Sequence, residues 1–426
     1  MIDTQERPRS YIWLMTLVAL MGVISALITF VFMYLVAKVT PLIWEKASLA
    51  LGLDTRLFTF LVCTLGGLLV GLLVKLFGDH NAIFSEIMLE FSHTGRFDYR
   101  NAPGIVITAF VSLVSGASLG PEAPLADACG GTGTWLSDLL KLNDNEKRTM
   151  GYGGFSGMLG AFITSPFGGA ILTLETAQGG ASAGPVYFWG LFPSLLASAV
   201  AAVVFYGLTG SFFETLYAFP TYTPRLLDLL VAIPFALLGG LAGLFFMLAL
   251  RWLRKLMQPL NQRLVLRGLI GGLAMGIIGA LLPLTLFSGE KETLALIQQA
   301  TEIGFWMLLL LAFAKLLATG LLLATGWKGG YIFPILFAGV ALGMSGNVLF
   351  PSIPTAVPVA AALAGALAAA MGAPLFAALF TLALVQVETA PVVAVSVLIG
   401  ALMTAGVRMR AAHRAQAQPQ PPVSQS

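Results

Sequence analysis

The chain has 426 residues, of which 58% are hydrophobic and only 10% carry a charge. Soluble domains usually carry about 25% charged residues, so the composition excludes an ordinary soluble protein and favours one membrane domain. The net charge of +3 is small and comes from basic residues beside apolar segments. It gives no indication of a nucleic-acid partner.

Apolar segments follow one another along the whole chain, and many are long enough to cross a bilayer. A helix needs about 20 apolar residues to span the hydrocarbon core. The uninterrupted segments are residues 13–37, 58–77, 185–208, 226–250, 264–286 and 305–323. Glycine and proline interrupt the others, which are residues 105–119, 150–174, 332–349, 357–384 and 392–407. The pattern predicts an all-α, multi-pass membrane protein.

Basic residues flank the first and last apolar segments and predict the orientation of the chain. Arg7 and Arg9 precede segment 13–37, and Arg408, Arg410 and Arg414 follow segment 392–407. Cytoplasmic loops carry an excess of Lys and Arg, so both termini are predicted to be cytoplasmic in a cell inner membrane. The first segment is too long for a cleaved signal peptide. Residues 1–12 then form a cytoplasmic N-terminus and residues 408–426 a disordered cytoplasmic tail.

Two parts of the chain repeat one arrangement of glycine and proline. The first part contains Gly120-Pro121-Glu122-Ala123-Pro124 and later Pro166, and the second contains Gly329-Gly330-Tyr331-Ile332-Phe333-Pro334 and later Pro374 at nearly the same distance. Proline is well accommodated in a first helical turn, and glycine before it lets the backbone turn. Each motif therefore predicts a helix that starts after an interruption. The repeat divides the membrane region into residues 13–208 and 209–407.

Helices that begin inside a membrane expose unpaired backbone N–H groups, which must find partners. A helix N-terminus carries about half a positive charge and binds anions. Paired interruptions in repeated halves indicate a transporter's substrate site. The alternative for any one motif is a kink without a ligand.

Glu122 lies inside the first motif with apolar sequence on both sides. A charged side chain in the membrane is costly and usually lines a pathway or carries a proton. Beside helix N-termini its carboxylate can occupy the anion site itself, and protonation would release it. The sequence therefore predicts that Glu122 is a gate.

Other polar residues in or beside the apolar segments have more than one interpretation. Glu175 either faces the cytoplasmic end of a pathway or is an ordinary helix-end glutamate. Asp79, His80 and Asn81 either line an inner mouth or belong to an ordinary loop. Lys315 raises the local positive potential, forms a structural pair, or reaches to the membrane surface, and we favour the last two.

The chain offers no pattern for catalysis or for a cofactor. Cys63 and Cys129 both lie in apolar sequence, and the three histidines have no ligand spacing. The sequence has no His-Glu-x-x-His run and no nucleophile–base pair on a shared segment. We therefore predict no metal, no cofactor and no enzymatic activity.

At these motifs the chain resembles the CLC family of chloride channels and chloride/proton exchangers. Gly120-Pro121-Glu122-Ala123-Pro124 resembles the family's Gly-Arg/Lys-Glu-Gly-Pro motif, including its gating glutamate. Gly330-Tyr331-Ile332-Phe333-Pro334 resembles Gly-x-Phe-x-Pro with the Phe displaced by one position. The resemblance extends from about the first segment to Val407. Within the family, the chain is similar to a divergent bacterial branch of ion-transport proteins.

The resemblance implies a fold of two inverted halves with broken, tilted helices, one pore per subunit and a homodimer. It implies that the backbone N–H groups of Glu122, Ala123, Tyr331 and Ile332 bind the anion. It also places the proton-relay glutamate of many exchangers at Thr176, directly after Glu175.

The chain departs from the family at the inner mouth. Gly78-Asp79-His80-Asn81-Ala82 stands where the family has Gly-Ser-Gly-Ile-Pro, and no tyrosine follows Val407. The implied function is an anion channel, for chloride in the first instance, or a proton-coupled anion transporter. The alternative is a fluoride/proton antiporter of the same fold, because fluoride-specific relatives also alter the serine motif.

Overall fold

The computed structural model describes residues 10–80, 83–163, 165–176, 187–210 and 222–416, together with Tyr217, Phe219 and Pro220. Helices of nine residues or more dominate these ranges. In the first half they are α1 Tyr11–Pro41, α2 Thr55–Phe77, α3 Phe84–Thr94, α4 Ala102–Val114, α5 Glu122–Leu139, α6 Asp144–Ile163, α7 Pro166–Thr176 and α8 Phe192–Thr209. In the second half they are α9 Leu226–Met257, α10 Leu264–Leu281, α11 Glu290–Gln298, α12 Phe305–Ala324, α13 Ile332–Leu349, α14 Ala356–Met371, α15 Pro374–Leu384 and α16 Ala390–Gln416.

The two sets of helices repeat the same packing arrangement. In the first half α1 packs on α6 and α8, and α5 packs on α4 and α6; in the second half α9 packs on α14 and α16, and α13 packs on α12 and α14. The halves are joined most extensively where α2 crosses α10. A side chain on Gly67 would lie 2.6 Å from the carbonyl oxygen of Gly268, so small residues allow this close crossing.

Eight helices in the described ranges are long and apolar enough to cross a membrane by length and composition. They include α1, α2, α8, α9, α10, α12, α13 and the start of α16. Their outer faces carry exposed leucines, for example Leu65 on α2 and Leu241 on α9. Such an exposed apolar surface suits a lipid environment, and the prediction of an all-α multi-pass membrane protein is confirmed.

The helices predicted at the repeated proline motifs begin where the motifs place them. Helices α7 and α15 start at Pro166 and Pro374, while Pro124 and Pro334 lie in the first turns of α5 and α13. A proline in a first turn sacrifices no intrahelical hydrogen bond, because its missing N–H would have no partner there. The local chemistry of proline therefore sets these four starts.

An antiparallel pair of hydrogen bonds joins the two motifs. The Gly120 amide donates to the Gly330 carbonyl at 2.9 Å, and the Gly330 amide donates to the Gly120 carbonyl at 2.6 Å. This bridge lies directly before α5 and α13, so it brings the first turns of the two helices together in the protein interior. Its two partners, Gly120 and Gly330, come from different halves of the chain.

Two predicted boundaries differ from the structure. Segment 264–286 contains a helix that ends at Leu281, because Pro283 follows and cannot continue it. The tail predicted to be disordered from residue 408 is helical as far as Gln416, where α16 ends. The alanines of this stretch favour a helix, and residues 417–426 lie outside the described ranges.

Lys315 is fully buried, and its ammonium group holds the segment that follows α10. Its Nζ donates to the carbonyls of Thr285, Leu286 and Phe287 at 3.0, 2.9 and 2.8 Å. These three bonds use all three ammonium donors. The structure therefore shows Lys315 in an interior structural contact, with backbone carbonyls as partners, and not reaching to the membrane surface.

Candidate functional site

Glu122 is the first residue of α5, and its side chain is completely buried. Its Oε1 accepts a hydrogen bond from the Ile332 amide at 2.6 Å, so the carboxylate of the first half caps the first turn of α13. The backbone of Glu122 itself and that of Phe333 also interact with this carboxylate. Oε2 is buried, and none of the described donors meets hydrogen-bond geometry with it. A carboxyl group therefore occupies the point where two helix N-termini, each with a partial positive charge, meet.

The glycines of the bridge make the space for this carboxylate. A Cβ on Gly120 or on Gly330 would overlap the Glu122 carboxyl group. Neither glycine has a left-handed backbone, so their role is to permit a close approach. Any larger residue at these two positions competes with the Glu122 side chain for the same volume.

The other predicted anion-binding positions lie beside Glu122. Ala123 is the second residue of α5 and is completely buried. Tyr331 immediately precedes α13 and is 3% exposed, with its ring 5.2 Å from that of Phe246. The structure thus brings together Glu122, Ala123, Tyr331 and Ile332, which the sequence separates by about half its length.

A cavity of about 320 Å³ opens on one side of Glu122. Pro121 lines it, together with Trp44, Phe287 and the acidic residues Glu45, Glu290 and Glu292, with Lys291 as a basic neighbour. Glu290 interacts electrostatically with Glu122. The cavity therefore approaches the buried carboxylate from the end of the molecule where α10 ends.

Two smaller cavities, of about 250 and 210 Å³, lie at the opposite end. Asp79 and His80 line both of them, so this short segment forms the wall between the two. Asp127 on α5 and the acidic residues Glu90 and Asp98 line the larger one. We call it the acidic cavity. The smaller one, lined by Arg254, Arg267 and Lys328, is the basic cavity.

Asp79 is bound to two basic side chains. Its Oδ1 lies 3.1 Å from Lys328 Nζ, and its Oδ2 accepts a short hydrogen bond from Arg267. Burial raises the pKa of Asp79, but Lys328 and Arg267 outweigh burial and hold this pKa below its ordinary value. The prediction of an inner mouth at Asp79 and His80 coincides with two open cavities. Asn81 lies outside the described residues.

Sequence reasoning missed the role of Arg267 and Lys328. A signal for Arg267 was present, because an arginine inside the apolar segment 264–286 is costly without partners. Lys328 directly precedes the Gly329-Gly330 motif. Nothing in the local sequence indicates that both residues bind Asp79.

Glu175 caps α15 at a second helix start. Its Oε1 and Oε2 accept hydrogen bonds from the amides of Leu375 and Phe376 at 2.7 and 2.8 Å. This repeats the relation between Glu122 and α13, with a glutamate of the first half on a helix of the second. A role of Glu175 in a proton path stays a prediction, and the Thr176 side chain lies outside the described residues.

No cluster of three His, Cys, Asp or Glu side chains suited to a metal ion occurs among the described residues. The groups present at the site are helix amides, the completely buried Glu122 carboxyl group and the ion pairs of Asp79. These groups can bind an anion and exchange a proton.

Comparisons with known proteins give a consistent result. The family described as "Voltage gated chloride channel" matches residues 66–405. YfeO of Escherichia coli (strain 55989 / EAEC), which is named as an ion-transport protein, is 28% identical over 361 residues, covering 82% of this chain and 83% of its own. The described fold is similar to a slow cyanobacterial Cl⁻/H⁺ antiporter, with a TM-score of 0.81 and 19% identity over 95% of this chain and 98% of that one. It is also similar to a CLC-type fluoride/proton antiporter, with a TM-score of 0.72 and 19% identity over 91% and 94% of the two chains.

Proposed function

The chain belongs to the voltage-gated chloride channel family, the CLC family, and from this premise we propose that it carries a small inorganic anion across the membrane through each subunit. Chloride is the first candidate. The observation that carries the proposal is the Glu122 carboxylate on the α13 amide. A site that holds one carboxylate oxygen with backbone N–H groups offers the same donors to a dehydrated halide.

Glu122 stands between the cavities of the two ends. Pro121 lines the cavity of about 320 Å³, and Asp127, further along α5, lines the acidic cavity. An ion that passes between them must replace the Glu122 carboxylate on the amide of Ile332. Protonation removes the charge that keeps the carboxylate there, so we propose that Glu122 is the gate and the point where a proton couples to the anion.

A passive channel and a proton-coupled exchanger would use the same site. They differ in whether the proton crosses the membrane or only releases the gate. Simultaneous recording of anion and proton movement from liposomes separates the two. In an exchanger, an anion gradient drives protons across the membrane against the proton gradient and changes the pH of the liposome lumen. A channel does not move protons in this way.

A fluoride/proton antiporter is the second candidate function. It is favoured by the similarity to an antiporter named for fluoride and by Asp79 at the place of the family's serine. Fluoride is the smaller and stronger hydrogen-bond acceptor, so it would gain more from amide donors. Efflux of fluoride and chloride, measured with ion-selective electrodes on the same liposomes, distinguishes the candidates.

The decisive variant is Glu122→Gln, which removes the charge and keeps the shape. We expect its anion efflux to differ from wild type or to lose its pH dependence, because a neutral amide competes weakly with the anion. Glu302→Gln is the matched control, since Glu302 is exposed at the protein surface. Equal flux and equal pH dependence in wild type and Glu122→Gln would remove Glu122 from its role as the gate.

We further propose a homodimer in the cell inner membrane with both termini in the cytoplasm. The basic cavity contains Arg254 and Arg267, which flank the connection between α9 and α10. The positive-inside rule makes the face that carries this connection cytoplasmic. The orientation is tested by the accessibility of cysteines introduced at the start of α1 and before α8, where the Tyr11 hydroxyl donates a hydrogen bond to the Phe188 carbonyl.

A further inference from the structure

Two buried cations share one carboxylate beneath the bridge between Gly120 and Gly330. Arg267 and Lys328 are each 5% exposed, and both bind Asp79, whose side chain is 36% exposed. Lys328 Nζ also donates to the His80 carbonyl, and an Arg267 NH group donates to Asn261 Oδ1 at 3.0 Å. The neutral acceptors orient the two cations without cancelling their charge.

The charges of this cluster do not balance. Among the described residues, Asp79 is the only acid within ion-pair distance of Arg267 or Lys328. Glu86 is bound to Arg254 by two hydrogen bonds. Asp127 acts on Lys328 only at longer range, from the acidic cavity. Two buried positive charges therefore share one negative charge, and the excess of one buried positive charge is costly.

The cluster also has room and a free donor for a ligand. The basic cavity, of about 210 Å³, lies against Arg267, Lys328 and Trp327. Arg267 Nε is buried, and no described acceptor binds it. The Trp327 indole N–H is already used by the Gly268 carbonyl. A small negative ion in this cavity would supply both a negative charge and an acceptor for Arg267 Nε.

The position of the cluster links it to the gate. Lys328 lies four residues before Ile332, whose amide binds Glu122, and only the glycine motif and Tyr331 separate them. An anion beside Lys328 is therefore at the start of the chain segment that leads to the α13 N-terminus. No other basic side chain of the basic cavity is this close in sequence to the bridge.

We propose that Arg267 and Lys328 form an inner binding site for a small inorganic anion, and that the Asp79 carboxylate is its built-in competitor. This inference rests on the proposed function and adds the inner site to it. When no ion is bound, Asp79 neutralises part of the positive charge, just as the Glu122 carboxylate accepts the hydrogen bond of the helix amide. A bound anion supplies the negative charge that the cluster lacks, and it shares the two cations with Asp79 or displaces it.

The test is calorimetric titration of sodium chloride and sodium fluoride into purified protein in a gluconate buffer. We expect Asp79→Asn to bind the transported anion about tenfold more tightly, because the internal competitor is gone. Lys328→Gln should weaken binding at least about tenfold, since a charge-assisted hydrogen bond is lost. Combining the two substitutions should abolish the gain. Arg251→Gln, on the exposed surface near the same end, is the matched control and should bind like wild type.

A folding defect in Lys328→Gln would leave two informative variants. Lys328→Arg keeps the charge and should retain most of the affinity that Lys328→Gln loses, and Asp79→Asn keeps the shape. Asp79→Asn with wild-type or weaker affinity would overturn the inference. If flux in liposomes is present and depends on Glu122 while these variants titrate like wild type, the inner site fails and the proposed function stands. Absence of anion flux in wild type would instead defeat the proposed function.

Discussion

Replacing Gly330 with alanine is predicted to push the Glu122 carboxylate off the α13 amide and to open the gate without a proton. A Cβ at residue 330 would overlap the Glu122 carboxyl group and lie 2.5 Å from its Cγ. The Gly330 amide and carbonyl both belong to the bridge to Gly120, so the backbone has little freedom to retreat. The Glu122 side chain is the element that can move.

The size of the effect follows from the strain that the methyl group adds, while the hydrogen bond of the Glu122 carboxylate opposes its displacement. Forcing a methyl group into a filled interior typically costs about 1–3 kcal/mol. The hydrogen bond between Ile332 N and Glu122 Oε1 involves a charged acceptor, and such bonds contribute about 1.5–3 kcal/mol. The methyl group raises the energy of the bound position only. The ratio of displaced to bound carboxylate should therefore rise by about tenfold to a hundredfold.

Anion efflux from liposomes at several pH values measures this shift. Gly330→Ala should conduct faster than wild type at neutral pH and respond less to acidification, which is also the response expected of Glu122→Gln. Gly207→Ala is the control, because that helical glycine has no neighbouring atom within 4 Å of an added Cβ. Slower flux in Gly330→Ala with an unchanged pH response, in a protein that melts like wild type, would show that the carboxylate does not occupy the anion position.

Three further predictions concern groups around the site. Lys315→Met should lower the free energy of unfolding by about 2–5 kcal/mol, because two buried carbonyls and one partly buried carbonyl lose their donor. Thermal unfolding in detergent measures this loss, and an unchanged melting temperature would contradict it. Glu175→Ala should cost about 1 kcal/mol in the same assay, the usual value of a lost helix cap, whereas Glu175→Gln should cost less. The Asp79 pKa is lowered in the fold, so its ion pairs with Arg267 and Lys328 stabilise the protein above the unfolded value of 3.8 and lose this effect as the pH falls through the lower folded value. Acid unfolding of Asp79→Asn should therefore lack this part of the pH dependence.

Local chemistry made most of the fold predictable from the sequence. Pro124 and Pro334 mark helix starts because a first turn has no use for the missing N–H, and the structure places both in first turns. Segment boundaries were less predictable where composition and stereochemistry disagree. Residues 282–286 are apolar enough to extend a span, but Pro283 ends the helix before them.

The charged cluster could not be predicted, because its partners are far apart in the chain. Asp79 meets Arg267 across 188 residues and Lys328 across 249. A lone Asp79 in the place of a serine looks unfavourable for an anion pathway, and only the fold shows the two cations beside it. Long-range ion pairs leave no periodic or local pattern, whereas a helix start does.

The two carboxylates on the proposed pathway are held by different forces, and this difference assigns them different triggers. Glu122 is held by backbone dipoles, each a fraction of a charge. Asp79 is held by two full positive charges. A proton competes more effectively with dipoles than with a pair of cations, so acidification should release Glu122 while Asp79 stays ionised. An anion, in contrast, competes best where fixed cations attract it. The inner carboxylate should therefore yield to the anion and the central one to the proton, and a protein with Asp79→Asn should keep its pH response while changing its response to anion concentration.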